Sequence, residues 1–495
     1  MKQPLKPIMF VGTCSDAGKS VINAAFCRIF RQDGHQPAPF KAQNMSLNSY
    51  STPEGGEMGR AQVVQAEACG IAPHTDMNPV LLKPTNDLSS QVVLNGKPVG
   101  NMSAREYFGQ GSKEGLFRQA IEAFNRLSDR YNPIVVEGAG SISEINLRDR
   151  DITNMRMAIQ AGAATYLVAD IDRGGVFGSV YGTLQLLRPE ERARMKGVII
   201  NKFRGDASLF EEGRAMLKEL TGVPVVGVIP WFRDIKIEEE DSVALEMKTN
   251  TYRDGKINVA IILLKRMSNF TDFDVLDMDT RFNAYYTNNL EEIGKADIIL
   301  LPGSKNTLSD LQSLRANGIA EAIIRAHKEG KKVIGICGGY QMMGARLEDP
   351  DGLEGNLAAV PGLGLLPLCT VIEQEKITRQ STFRFLPSNK ENVCKGYEIH
   401  MGRTALLGDA PSCPVVAWAD GRTDGYYLSN RCWGSYLHGI LDNSVVLDAL
   451  AEGFEKDVDA PPFDYAAFKE EQYDKLAALV RQHVDMDYIY RSMQE

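Results

Sequence analysis

Two short strings in this chain carry residues with the spacing for chemistry. Gly335-Ile336-Cys337-Gly338-Gly339 frames a cysteine with glycines in the G-x-C-x-G form of a nucleophile elbow. Glycines permit the strained turn and let backbone N–H groups approach an oxyanion. Only the thiolate is a strong nucleophile, so Cys337 needs a base. Two of the six histidines stand in suggestive strings: His438 in Gly434-Ser435-Tyr436-Leu437-His438-Gly439, and His400 in Gly396-Tyr397-Glu398-Ile399-His400-Met401-Gly402. Sequence distance does not choose between them, because a catalytic constellation is a spatial object. Pro302-Gly303-Ser304 follows the apolar run 296–301 and offers an N–H at Gly303 to join that of Gly338 at an oxyanion.

The second string is Gly12-Thr13-Cys14-Ser15-Asp16-Ala17-Gly18-Lys19-Ser20, between an apolar run and a helical pattern. It reads as a phosphate loop. Backbone N–H groups from Gly12, Thr13, Asp16, Ala17 and Gly18 would face the anion, and the following helix adds its positive dipole end. Lys19 would reach the terminal phosphates and the Ser20 hydroxyl would bind Mg²⁺. The loop departs from the usual spacing: five residues, not four, separate Gly12 from Gly18. Glu137 ends the apolar run 134–136, where a carboxylate points into the ligand crevice of a parallel sheet as a second oxygen for Mg²⁺. Asn201-Lys202 closes the run 197–200 and is placed to hydrogen-bond a purine edge. Glu57, in Gly55-Gly56-Glu57-Met58-Gly59-Arg60, reads on pattern alone as a solvated loop carboxylate. A nucleotide site and a thiol hydrolase site on one chain suggest coupled chemistry. One half releases ammonia from an amide, and the other uses ATP to install it on a carboxylate.

The elements that must carry these groups follow an α/β pattern. Runs 8–11, 133–136, 165–169, 197–200 and 223–229 are continuously apolar, as buried parallel strands are. Residues 19–31 bring Val21, Ala24, Ala25, Ile29 and Phe30 to one helical face. This is a doubly wound fold. The pattern breaks over 231–255, with an acidic run Glu238-Glu239-Glu240-Asp241, and a second series follows with runs 259–264, 296–301 and 332–336. The expected organisation is an ATP-dependent domain over 1–235, a linker over 236–255, an amidotransferase-like domain over 256–450 and a helical extension over 451–495 that caps the second domain.

With 495 residues, the chain is too long for one ordinary core. Its 55 basic and 64 acidic residues leave a net charge of −9, so no global cationic field for nucleic acid is expected. No apolar run approaches the roughly 20 residues that cross a bilayer, and the first residues lack the long apolar stretch of a secretory signal. The eight cysteines form no CxxC pair, which argues against structural zinc and for a reducing, cytoplasmic compartment. The oligomeric state is not legible.

Taken together, these strings resemble the cobyrinic/cobyric amidotransferase family, glutamine-hydrolysing amidases of cobalamin biosynthesis. The front half is similar to dethiobiotin synthetase-like ATP-dependent amidoligases through Lys41-Ala42-Gln43-Asn44-Met45-Ser46-Leu47-Asn48-Ser49 and residues 55–62, 76–84, 144–151 and 170–175. The rear half resembles class I glutamine amidotransferases through residues 301–307, 335–341, 396–402 and 436–439. The resemblance implies Cys337 as nucleophile with His438 as its base. Class I enzymes place a glutamate two residues after that histidine; here the position is Ile440, and nearby Asp442 does not match the motif. The resemblance also moves Glu57 to a metal-binding carboxylate. Lys41 comes near the phosphates and the substrate carboxylate, with Asn44 in the same loop. The implied substrates are ATP with Mg²⁺, glutamine and a corrinoid, amidated at the b, d, e and g carboxylates of adenosylcobyrinic acid a,c-diamide. The alternative is amidation of the a and c carboxylates by the same chemistry. Arg148, Arg150, Arg156 and Arg173 are the cations available for such a polycarboxylate. A partition-type ATPase switch shares this phosphate loop but gives Cys337 and the second domain no purpose.

Overall fold

The computed structural model describes residues 4–85, 89–103, 110–238, 251–388, 390–454 and 463–495. Each continuous apolar run of the front half is a strand. Together they form a six-stranded sheet ordered Val225–Pro230, Met195–Phe203, Ala164–Asp170, Ile8–Gly12, Ile134–Glu137, Ala38–Phe40. All its pairings are parallel. Both faces are covered, so no polar alternation is needed: every residue of Ile8–Gly12 and of Ala164–Asp170 is buried. The chain leaves Ile8–Gly12 toward the edge strand Ala38–Phe40 but leaves the neighbouring Ala164–Asp170 toward the opposite edge, so a switch point lies between these two strands. That switch point gathers Gly12, Glu137, Asp170 and Asn201 at the carboxyl ends of the strands.

Between Phe40 and the next central strand lie a four-stranded sheet (Gln43–Met45, Val80–Pro84, Ser89–Leu94, Lys97–Ser103) and a hairpin of Ser49–Ser51 with Glu57–Gly59. The hairpin meets the rear half. The Asn269 amide donates to Ser49 O at 3.0 Å, and the Gln380 amide donates to Ser51 O at 3.0 Å.

The rear half has its own six-stranded sheet: Phe282–Thr287, Ile257–Ile262, Ile298–Leu301, Lys332–Ile336, Cys432–Ser435, Tyr426–Ser429. Its strands are parallel except the last. A long antiparallel ribbon, Leu368–Phe385 with Cys394–Leu406, leans over the elbow, and Leu437–His438 pairs onto its edge.

The tail departs from expectation. Helix Tyr465–His483 starts on the rear core, where Tyr465, Phe463 and Phe468 pack. It then crosses to the front domain, where Tyr473, Leu476, Ala477 and Val480 share a core with Phe26, Ile29 and Phe30 of helix Lys19–Gln32. The tail is therefore a strap over the front domain rather than a cap on the rear one, and its apolar stripe matches the outer face of Lys19–Gln32. Of the expected linker, residues 239–250 lie outside the described ones. Glu238 is no solvated residue: its side chain is buried and its carboxylate accepts both Nε and Nη2 of Arg60, at 2.6 and 2.9 Å.

Candidate active site

Cys337 follows strand Lys332–Ile336 and heads the short helix Gly338–Met343. Its φ of 51° and ψ of −110° put a non-glycine residue in a strained backbone region, which costs on the order of 1–3 kcal/mol. The flanking glycines make that turn possible. A Cβ on Gly339 would lie 1.9 Å from Leu301 O, and one on Gly338 would lie 2.7 Å from Ser304 N. The backbone at 303–304 thus abuts the elbow, and a Cβ on Gly303 would meet His438 Cε1 at 3.3 Å.

The thiol is nearly buried, with Sγ 3.6 Å from Ile399 O. His438 hydrogen-bonds to it. On its other side His438 Nδ1 is 2.6 Å from Asp272 Oδ2, and Asp272 Oδ1 accepts the Gly439 N–H at 2.9 Å. Burial pulls the imidazolium down, but the charges of Asp272 and the Cys337 sulfur outweigh it and lift His438 to about 10. His400 is held elsewhere, stacked on Tyr436 at 3.7 Å with Nδ1 3.0 Å from Gly402 O. The imidazole at the sulfur is therefore that of His438.

Asp272 was not found from the sequence. It sits in the short turn Phe270–Phe273, far from both motifs, and neither Ile440 nor Asp442 takes its place. The only signal was an acidic residue held between phenylalanines in Asn269-Phe270-Thr271-Asp272-Phe273. The cavity at the sulfur continues past Ser304, Lys305, Gln341 and Glu354 to Lys376 and, from the front domain, Lys83.

In the phosphate loop, Gly18 has φ 94° and passes so close to Asn201 that a Cβ would lie 2.2 Å from its amide nitrogen. Lys19 Nζ donates to Cys14 O, Ser15 O and Gly140 O at 2.9–3.0 Å, at the centre of the loop. Not every expected donor faces a ligand: the Thr13 N–H is bonded to Val168 O at 3.0 Å. The pair expected to read a purine edge braces the loop. Asn201 Nδ2 donates to Ala17 O at 2.9 Å, and Lys202 Nζ donates to Asp16 O at 2.6 Å and to Asp170 Oδ2 at 2.9 Å.

Glu137 collects the groups around the loop: Ser20 Oγ and Lys41 Nζ each donate to its Oε1 at 2.8 Å, and Gln65 donates to its Oε2. Among the described residues no cluster of three His, Cys, Asp or Glu side chains could hold a metal. One hydroxyl and one carboxylate beside a phosphate loop still suit Mg²⁺, which keeps waters and takes phosphate oxygens as ligands.

Glu57, expected as a metal-binding carboxylate, lies apart from that set. It is fully buried at the domain junction, where Oε1 accepts Lys83 Nζ at 2.7 Å and Ser49 Oγ at 2.8 Å, while Oε2 accepts Lys376 Nζ. Two ammonium groups already neutralise it. Asn44 is likewise buried, donating to Gln62 Oε1 at 3.1 Å. The arginines divide. Arg173 pairs with Asp16 of the phosphate loop at 2.6 Å, whereas Arg148 donates to Leu186 O at 2.5 Å, Arg156 pairs with Glu114 at 2.7 Å and Arg150 is exposed.

Residues 8–244 match the CobQ/CobB/MinD/ParA nucleotide binding domain, and residues 258–446 match the CobB/CobQ-like glutamine amidotransferase domain. Over 494 residues the chain is 84% identical to a cobyric acid synthase of Parabacteroides distasonis, covering 100% of both chains. It is 62% identical over 491 residues to one of Bacteroides fragilis, covering 99% of both, and 46% identical over 506 residues to one of Syntrophobacter fumaroxidans, covering 98% of both. A thiol–imidazole–carboxylate row and a phosphate loop, on two domains whose whole length is shared with such relatives, leave one assignment: the chain belongs to the cobyric acid synthase family, the ATP-dependent glutamine amidotransferase ligases.

Proposed function

We propose that this enzyme amidates the b, d, e and g carboxylates of adenosylcobyrinic acid a,c-diamide, with glutamine as nitrogen donor and ATP as energy source. The observation that carries the reading is the Cys337–His438–Asp272 row, set in a cavity that reaches the front domain at Lys83. The choice of carboxylates is supported by the front-domain strings and by the names of the relatives.

In the rear domain Cys337 attacks the side-chain amide carbon of glutamine. Backbone N–H groups at Gly338 and Gly303 hold the oxyanion, and His438 gives its proton to the departing ammonia. Water then cleaves the thioester with His438 as base. Asp272 fixes the imidazole and stabilises its cation. In the front domain Lys19 and the loop N–H groups hold the phosphates of ATP. Ser20 and Glu137 would hold Mg²⁺, which neutralises phosphate charge when bound. A corrinoid carboxylate takes the terminal phosphoryl group, with Lys41 beside it, and ammonia displaces phosphate from the acyl phosphate. Of the four arginines, Arg173 is the one paired with the loop, through Asp16, and is the candidate for the substrate's other carboxylates.

The test is a mass-resolved assay with glutamine, ATP and the a,c-diamide corrinoid. Cys337→Ala should abolish amidation from glutamine and retain it from ammonium chloride. Lys19→Ala should abolish both. Loss of both activities in Cys337→Ala would contradict separable half-sites.

A further inference from the structure

Three lysines reach the cavity beside Cys337, and they differ in their partners. Lys83 and Lys376 share Glu57. Lys305 makes no side-chain hydrogen bond or ion pair among the described residues; its backbone N–H alone is bound, to Arg266 O at 2.9 Å. A cation drawn out of water with no carboxylate in contact is costly unless a ligand supplies one. Across from it stands Glu354. One of its oxygens caps helix Thr307–Ala316 by accepting the Thr307 and Leu308 N–H groups, while Oε1 has only a 3.4 Å contact with Thr307 Oγ1. Burial, together with the charges of Lys376 and Lys83, holds the Lys305 ammonium down to about 8. Burial likewise pushes Glu354 up to about 7. Each is a charge without its full complement, in the cavity that holds the sulfur.

We propose that Lys305 binds the α-carboxylate of the glutamine whose amide meets Cys337, and that the open oxygen of Glu354 takes its α-ammonium group. The inference rests on the glutaminase reading above. It makes the cavity selective for a free α-amino acid rather than for any primary amide. Three carbon–carbon bonds separate the amide carbon of glutamine from Cα, a reach of about 4 Å when extended. Lys305 follows Ser304, whose N is the atom nearest a Cβ on Gly338, and it lines one cavity with Cys337 and Glu354. Lys83 and Lys376 each already touch the Glu57 carboxylate, which leaves Lys305 as the one of the three with no ion-pair contact among the described residues.

The experiment uses the full-length enzyme and compares hydrolysis of L-glutamine with that of its α-carboxamide, which lacks the anionic end. The wild type should prefer glutamine by on the order of 100-fold in kcat/KM, as a lost charge-assisted contact implies. Lys305→Met should raise KM for glutamine and erase that preference, while Lys305→Arg restores part of it. Amidation from ammonium chloride bypasses the cavity and reports on folding; should the methionine disturb it, Lys305→Gln gives the same readout. Equal hydrolysis of the two compounds by the wild type overturns the proposal, as does a Lys305 variant that discriminates as the wild type does. Retained glutaminase activity in Cys337→Ala would instead sink the underlying reading.

Discussion

His438 is lifted to about 10 because the charges of Asp272 and the Cys337 sulfur outweigh the effect of burial. A histidine raised above its ordinary value stabilises the fold fully below the ordinary histidine range. That contribution is lost as pH rises through about 10. The imidazolium that the proposed mechanism needs to protonate the leaving ammonia thus persists across neutrality. Asp272→Asn removes the carboxylate, so glutaminase kcat should fall by about 10²–10⁴. The alkaline limb of its pH profile should move to lower pH, and ammonium-supported amidation should continue. An unmoved alkaline limb in steady-state profiles of the two proteins would refute the role. The sequence exposed Cys337 because its glycines are required locally. It hid Asp272 because the 2.6 Å contact joins residues 166 apart, and the position where relatives of this chemistry carry a glutamate is the buried Ile440. The surroundings of Glu57 were hidden for the same kind of reason: no local pattern reveals that Lys83 and Lys376 converge on it.

Parallel strands buried on both faces were legible because continuous apolar runs have few other uses. The sheet of Gln43–Met45 with Val80–Pro84 was not: its strands are short and mix polar with apolar residues. The tail was legible as helix but not in its destination, since an apolar stripe announces burial without naming the surface that provides it. In the fold that surface is helix Lys19–Gln32, which begins at the phosphate loop, and Arg28 ties the two through Asp474 at 2.7 Å. Leu476 is 1% exposed in this seam, so Leu476→Ala should cost about 2–5 kcal/mol. Urea denaturation should show a lower midpoint. ATP binding by calorimetry should weaken as well, because the loosened helix presents the phosphate-binding residues; tight binding with a lowered midpoint would show that the strap serves stability alone.

Across the whole molecule, the hairpin of Ser49–Ser51 and Glu57–Gly59 carries the junction, and Glu57 is its charged centre. Burial alone would push this carboxyl up, but Lys376 from the rear half and Lys83 from the front hold it well below the usual carboxylate range. A depressed folded value contributes stability that is present above the ordinary carboxylate range and lost as pH falls toward the depressed one. Acid should therefore loosen this junction. Glu57→Gln removes the counter-charge from two buried lysines, with the Lys305 ammonium already close. Breaking a buried pair from one side costs about 3–5 kcal/mol, whereas replacing both partners with apolar groups is often neutral. Glu57→Gln should thus lower the thermal midpoint, and adding Lys376→Met should recover part of the loss. The same cluster borders the cavity where ammonia is released, so a loosened junction should also let ammonia escape, seen as more glutamate formed per amide installed. Calorimetric midpoints with a product-ratio assay check both effects. A Glu57→Gln enzyme with wild-type stability, acid profile and product ratio would mean that the two halves are held and coupled by other contacts.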